Sequence, residues 1–250
     1  MDTKNKTAQA AAKEQETDTS FLDEFAGEGL DTITQSATAT AYLGIVQPGS
    51  ACVSDDCPAG TWRNSATGKN YGNMVRVVPL AFRTVWNERS SEAPYATIAN
   101  YTPGSIEVDI KQPAKGQRGF ARMFNKESGN EIKELYVYAI MLPDFPEDGV
   151  LYLNLTASSM KACRAWNTQL KGQLLPNGVQ APIFGYSWQL IADLVPNPKQ
   201  MNTKMGVLRG AVKDAITNKE LFLGHVKPVL SLVKSDVAQI GFDAADEETE

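Results

Sequence analysis

Residues 111–133 hold the densest mixture of cations and aromatic rings in the chain. Lys111, Lys115, Arg118, Arg122, Lys126 and Lys133 are interleaved with Phe120 and Phe124, and Gly116 and Gly119 loosen the backbone between them. Single-stranded nucleic acid is held by this pair of groups: cations follow the phosphates and aromatic faces slide under the bases, each stacked base being worth ~1–3 kcal/mol. The same segment also reads as an ordinary charged surface loop anchored by two phenylalanines. A second candidate follows directly. Tyr136 and Tyr138 alternate with Leu135, Val137, Ala139 and Met141, so on a strand the two sets lie on opposite faces. The aliphatic set is the better core face, which turns Tyr136 and Tyr138 toward a groove. In residues 184–188 the preference reverses. Phe184, Tyr186 and Trp188 alternate with Gly185 and Ser187, and here the aromatics are the core set. A third feature is the stripe Lys161, Arg164 and Lys171, whose spacing puts the three on one side of a helix. That is the solvated face of an amphipathic helix, or an extension of a phosphate-binding track.

The tools of catalysis are sparse. The chain has one histidine, His225, on an apolar helical stretch. No HExxH, no Cys/His set with zinc spacing and no GxSxG elbow occurs. Gly68-Lys69 resembles the end of a phosphate-binding P-loop, but Arg63 stands where the first glycine belongs and Asn70 where Ser or Thr would reach the metal. Asp144, Glu147 and Asp148 could hold a cation, yet Pro143 and Pro146 around them mark a solvated hairpin tip. The expectation is a protein that is not an enzyme and carries no cofactor and no metal. A metal-dependent nucleic-acid enzyme assembled from scattered acids is the more distant alternative.

The elements that must position these residues are mostly strands. Residues 131–142 and 150–155 are apolar, aromatic and β-branched, with loop chemistry (PDFPEDG) between them. Ser158 or Ser159 can cap a helix carrying Met160, Cys163, Trp166 and Leu170 on one side, and Gly172 ends it. Residues 183–195 and 205–212 are two further strands. Upstream, residues 60–72 are a Gly-bounded hairpin, and 74–86 a long strand in which Pro79 demands an edge, a bulge or a bend. Residues 218–234 are helical in spacing, with Pro228 to kink or interrupt them. A helix inserted between consecutive strands of a small barrel is the layout of an OB-fold. The fold expected is mainly β with inserted helices (α+β), an elaborated OB-type barrel with a C-terminal helix. Its parts are a disordered segment at 1–20, an OB-like nucleic-acid-binding domain at 21–212, a helical extension at 213–240 and a disordered acidic tail at 241–250.

The net charge is −5, and the tail accounts for all of it. Asp243, Asp246, Glu247, Glu248 and Glu250 are unaccompanied by any base, and without them acids and bases match at 24 each. A neutral body can still present a basic groove if its acids lie elsewhere. The tail has almost nothing apolar to bury, so it stays unfolded, free to occupy that groove or to dock on basic partners. The N-terminus lacks the apolar stretch of a secretory signal and no run approaches the ~20 residues of a membrane span, so the chain is expected in the cell that makes it, without a membrane role. In a reducing cell Cys52, Cys57 and Cys163 read as free or packed thiols, with a Cys52–Cys57 pair across the short loop between them as the alternative.

The order of segments carries a resemblance. FLDEFAGEGLDTI, YLGIVQPGS, GTWRNSATGKNYG, VRVVPLAFRTVWNER, ELYVYAIMLPD, LTASSMKACRAWNTQL and APIFGYSWQL, spanning about Phe21 to Val212, resemble a group of bacteriophage replication-associated proteins with single-stranded DNA binding and an OB-like fold. The resemblance implies sequence-independent single-stranded DNA binding in support of phage replication or recombination, in the cytoplasm of an infected bacterial host. It also implies recruitment of replication proteins through the acidic tail. Such tails often end in an aromatic residue, whereas the last aromatic here is Phe242. The rival reading is a phage structural or interaction protein that packs against copies of itself. Whether a homo-oligomer forms stays open.

Overall fold

Turn chemistry and β-branched runs produce most of the strands where they are expected. In the computed structural model, β1 (Leu43–Ile45) pairs antiparallel with β2 (Trp62–Asn64), which turns back through β3 (Asn70–Gly72) to make the expected hairpin. The structure describes residues 40–90, 96–113, 121–156, 158–197, 203–230 and 233, all in the unit that begins at Thr40. The sequence-based assignments to 1–20 and to the acidic tail therefore fall outside the described residues.

The second sheet is built on β4 (Met74–Arg89), one continuous strand of sixteen residues. Its first residues pair with β10 (Tyr186–Pro196) and its last with β5 (Thr97–Tyr101). From Val78 to Arg89 it pairs with β8 (Glu131–Met141). Pro79 is accommodated by a bulge: the ladder to β10 stops at Val77, and the register to β8 slips by one residue across Leu80. A proline has no N–H to give a ladder, so the strand bends where that donor is missing. β6 (Val108–Lys111) and β7 (Arg122–Asn125) form a hairpin on the far side of β8, and β9 (Val150–Leu155) returns along it. β11 (Lys204–Ile216) completes the order β11-β10-β4-β8-β7-β6.

The helix α1 (Met160–Lys171) lies where its periodicity puts it, with Met160, Cys163 and Trp166 buried and Leu170 half-buried. Ser159 precedes it, but its hydroxyl caps nothing in the helix. It accepts the Leu208 N–H at 3.0 Å instead, tying the helix start to β11. One face of the sheet packs against α1 and the small sheet through Val77, Tyr138, Ile140, Trp166, Trp188 and Trp62. The Trp62 indole N–H reaches the Leu190 carbonyl at 3.2 Å. The opposite face packs Val78, Leu80, Ala139 and Met141 against Val226 and Val233 of the C-terminal helical segment. That segment opens with Lys219–Leu221 and widens into a π turn over Phe222–Val226, where the Lys227 N–H reaches back to the Phe222 carbonyl. The regular helix is thus interrupted by a wider turn just before Pro228. Widening moves the preceding carbonyls away from the ring that would strike them.

An OB-type barrel needs a ladder that returns to its first strand. Among the described residues it does not return. β9 meets the chain before β1 through one isolated parallel bridge, Tyr42 with Tyr152. At the other end, β1 lies against β11 without a ladder. The Gln47 side-chain amide bridges them, donating to the Gly206 carbonyl at 3.2 Å and accepting the Gly206 N–H at 2.9 Å. Gly206 is required by space: a Cβ there would stand 2.6 Å from Ile45 Cγ2. The fold is mainly β in antiparallel sheets with a packed helix, and the barrel expectation is corrected to an open arrangement.

Candidate nucleic-acid interface

The basic, aromatic segment is more regular than a loop. Arg122 and Phe124 stand on β7, with Lys111 opposite Arg122 and Asp109 opposite Phe124. Lys111 Nζ sits 4.3 Å from the centre of the Phe124 ring and the Arg122 guanidinium carbon 5.5 Å from it. The aromatic side chain therefore carries two cations within cation–π range. Arg122 is also held in a two-point clasp by Glu131, with contacts of 2.7 and 2.6 Å, although the arginine remains 60% exposed. That hydrogen bond raises its pKa further. Lys126 lies in the turn after β7 and donates to Glu107 at 2.9 Å. Lys115, Arg118 and Phe120 lie in 114–120, outside the described residues.

Tyr136 and Tyr138 do not join this cluster. The register places Lys111, Arg122 and Phe124 on one face of the sheet and both tyrosines on the other. The expectation that both tyrosines face a groove is corrected for Tyr138, which is fully buried. Its ring stacks on Trp166 at 4.6 Å and its hydroxyl donates to the Asn167 side chain at 2.8 Å. Alternation misled here because both faces of β8 are covered at that height: Val137, Ala139 and Met141 are as buried as Tyr138 and Ile140. Tyr136, two residues nearer the open end, is half-buried beside Phe82 and Arg164. In the later strand Trp188 is core as expected, Phe184 precedes the strand in the turn Ile183–Gly185, and Tyr186 is half-buried with its hydroxyl on the Leu174 carbonyl at 2.7 Å.

A buried carboxylate underlies the hairpin, and sequence reasoning missed it. Glu88 of β4 is 2% exposed. It accepts Tyr101 Oη at 2.8 Å, Asn125 Nδ2 at 2.9 Å, Asn130 Nδ2 at 2.7 Å and the Ser128 hydroxyl. Burial alone would raise its pKa, but the donors from Ser128, Asn130, Asn125 and Tyr101 outweigh that and hold it at about 2. One side chain thus fastens β5, β7 and the β7–β8 turn to β4. A glutamate near the end of an apolar strand reads as a solvated residue, so no sequence signal marks it.

The acids set aside as a solvated tip are paired. Glu147 and Asp148 accept Lys69 at 3.0 and 3.1 Å, while Asp144 takes Arg76. Lys69 also lies 4.0 Å from the Phe145 ring centre. Arg76 reaches Asp214 at 3.5 Å across an open cleft of about 250 Å³ lined by Met74, Arg76, Asp144, Gln189 and Asp214. The lysine of the failed P-loop pattern and the acids of the failed metal pattern therefore latch the β8–β9 connection to the turn before β3 and, through Asp144, to β4. Among the described residues no three His, Cys, Asp or Glu side chains are placed to hold a metal ion, and no helix is long and apolar enough to cross a membrane. His225 is exposed, and the three cysteines are free; burial pushes the Cys163 thiol up to about 12, which leaves it inert.

These features define an open antiparallel β protein with helical segments packed on both faces of its larger sheet and a cation-bearing aromatic hairpin. The chain belongs to the Pam3 phage gp34-like protein family, which it matches over residues 9–216, and it is thus a phage protein. The match ends on the last residue of β11, before the C-terminal helical segment. No curated protein and no solved structure matches it.

Proposed function

We propose that this chain is a sequence-independent single-stranded DNA-binding protein, not an enzyme, that supports phage DNA replication or recombination in the cytoplasm of the infected host. The observation that carries the reading is Phe124 on β7, exposed in part and flanked by Lys111 and Arg122. A hairpin at the end of a sheet presents the ring to a base and the two cations to the phosphates on either side of it. The acidic tail serves replication proteins, and in the absence of DNA it competes for the cations.

The test is retention of the full chain on a single-stranded oligonucleotide at two salt concentrations. Lys111→Ala with Arg122→Ala weakens binding and lowers the salt slope by about 1.4, since each phosphate contact on a single strand contributes about 0.7. Phe124→Ala weakens binding about tenfold with the slope unchanged. A chain that is not retained at moderate salt refutes the reading. A second reading, a phage interaction protein that binds other proteins or its own copies, is favoured by one observation: Arg122 and Lys126 already have carboxylate partners while Ile110 on β6 is 62% exposed.

A further inference from the structure

The face of the sheet opposite the cationic hairpin carries a line of rings that runs from the core to the surface. Trp166 meets Trp188 at 6.2 Å, Tyr138 stacks on Trp166 at 4.6 Å, Phe82 packs on Tyr138 at 4.8 Å, and Tyr136 stands edge-on to Phe82 at 5.4 Å. The inner members are fully buried, whereas Phe82 is 36% exposed and Tyr136 half-buried. The register extends the same face through Trp86 and, across from it on β5, Tyr101, both half-buried. Beside the outer rings rises α1. Its Arg164, 67% exposed, lies 3.5 Å from the Tyr136 hydroxyl and 3.5 Å from Glu134, and Lys161 and Lys171 are exposed on the same helix.

From this arrangement we infer that Phe82 and Tyr136 form a base-stacking platform for single-stranded nucleic acid, with Arg164 taking an adjacent phosphate. The inference rests on the proposed function and adds a second contact on the other face of the sheet. Three observations select this ligand. The outer rings are held by a buried aromatic stack, so they lose little freedom when a base covers them. An aromatic face is sequence-tolerant, because every base offers a π surface. The charge beside the rings is the basic edge of α1, which suits a polyanion and repels a basic partner. α1 itself carries Lys161, Arg164 and Lys171 and no acid, and Glu134 of β8 is the carboxylate that Arg164 meets. A strand contacting both faces must pass round an edge of the sheet, so the two sites together require a longer oligonucleotide than either alone.

The test uses the full chain and oligothymidylates of increasing length, with binding read by anisotropy of a terminal label. Phe82→Ala is expected to lower affinity about tenfold without changing the salt slope, and Arg164→Ala to lower the slope by about 0.7. Phe82→Leu keeps the packing on Tyr138 and removes only the π face. It is expected to lose affinity like the alanine variant, and it serves in its place should Phe82→Ala not fold. Photocrosslinking to a halogenated pyrimidine is expected to label Phe82 or Tyr136. Parent-like affinity of the Phe82 variants in a chain that binds DNA overturns the platform alone. Failure of the unaltered chain to bind overturns the platform and the proposed function together. A change of oligomeric state in the Phe82 variants with DNA affinity intact assigns the face to self-association and overturns the platform.

Discussion

Glu88 is ionised in a place from which water is excluded, and that makes it a sensor of acid. Its pKa of about 2 lies below the 4.5 of a free glutamate because four donors favour the carboxylate. A carboxyl depressed on folding stabilises the fold above the unfolded value and gives that stability up as pH falls toward the folded one. The gap is worth about 3 kcal/mol. Denaturant midpoints measured from pH 6 down to pH 2 are expected to fall through the window between about 4.5 and 2 in the parent. In Glu88→Gln the midpoint starts lower at pH 6 and falls less across that window. Equal slopes in the two proteins would remove Glu88 as the cause. The candidate site was legible in sequence only where composition carries it. Lys111, Arg122 and Phe124, read in sequence as one segment, lie together in the structure because cross-strand neighbours in a hairpin share a face. Tyr138 did not, since alternation separates core from solvent only on a strand with one wet face. Glu88 was invisible because its four partners come from two stretches of chain distant from it, Tyr101 and residues 125–130.

At the scale of elements, α1 shows what periodicity can deliver. Met160, Cys163, Trp166 and Leu170 fix which side of the helix meets the sheet, and the structure agrees at each position. Trp166 is fully buried between Tyr138 and Trp188. Trp166→Ala is expected to cost ~3–5 kcal/mol, read as a lowered midpoint of chemical denaturation. An unchanged midpoint would mean that the helix does not carry the core. β4 was legible in outline, and of the edge, bulge or bend that Pro79 demands the structure has the bulge. Its central place in the sheet was not legible, because strand order depends on pairings between residues far apart in sequence. The same reason defeats the barrel expectation. Strand, helix and strand in succession are common to closed and open arrangements, and only the long-range ladder distinguishes them.

For the molecule as a whole, charge is divided between a balanced body and an acidic tail, so removal of the tail is a clean perturbation. Truncation after Phe242 takes the net charge from −5 to zero. The truncated chain is expected to fold normally and to bind single-stranded DNA more tightly, most of all at low salt, where screening is weakest. It is also expected to lose any recruitment of replication proteins. Titration of both forms on one oligonucleotide at two salt concentrations decides this; equal affinities would reduce the tail to a solubility device. The bridge between Gln47 and Gly206 has a separate meaning for the whole. An edge strand offers unpaired N–H and C=O groups to any extended chain that drifts by, and such edges are where sheets aggregate. By engaging both groups of Gly206, one side-chain amide takes the place of a neighbouring strand. It stops the edge of β11 without prolonging the sheet, and at that rung a second molecule finds no backbone left to template.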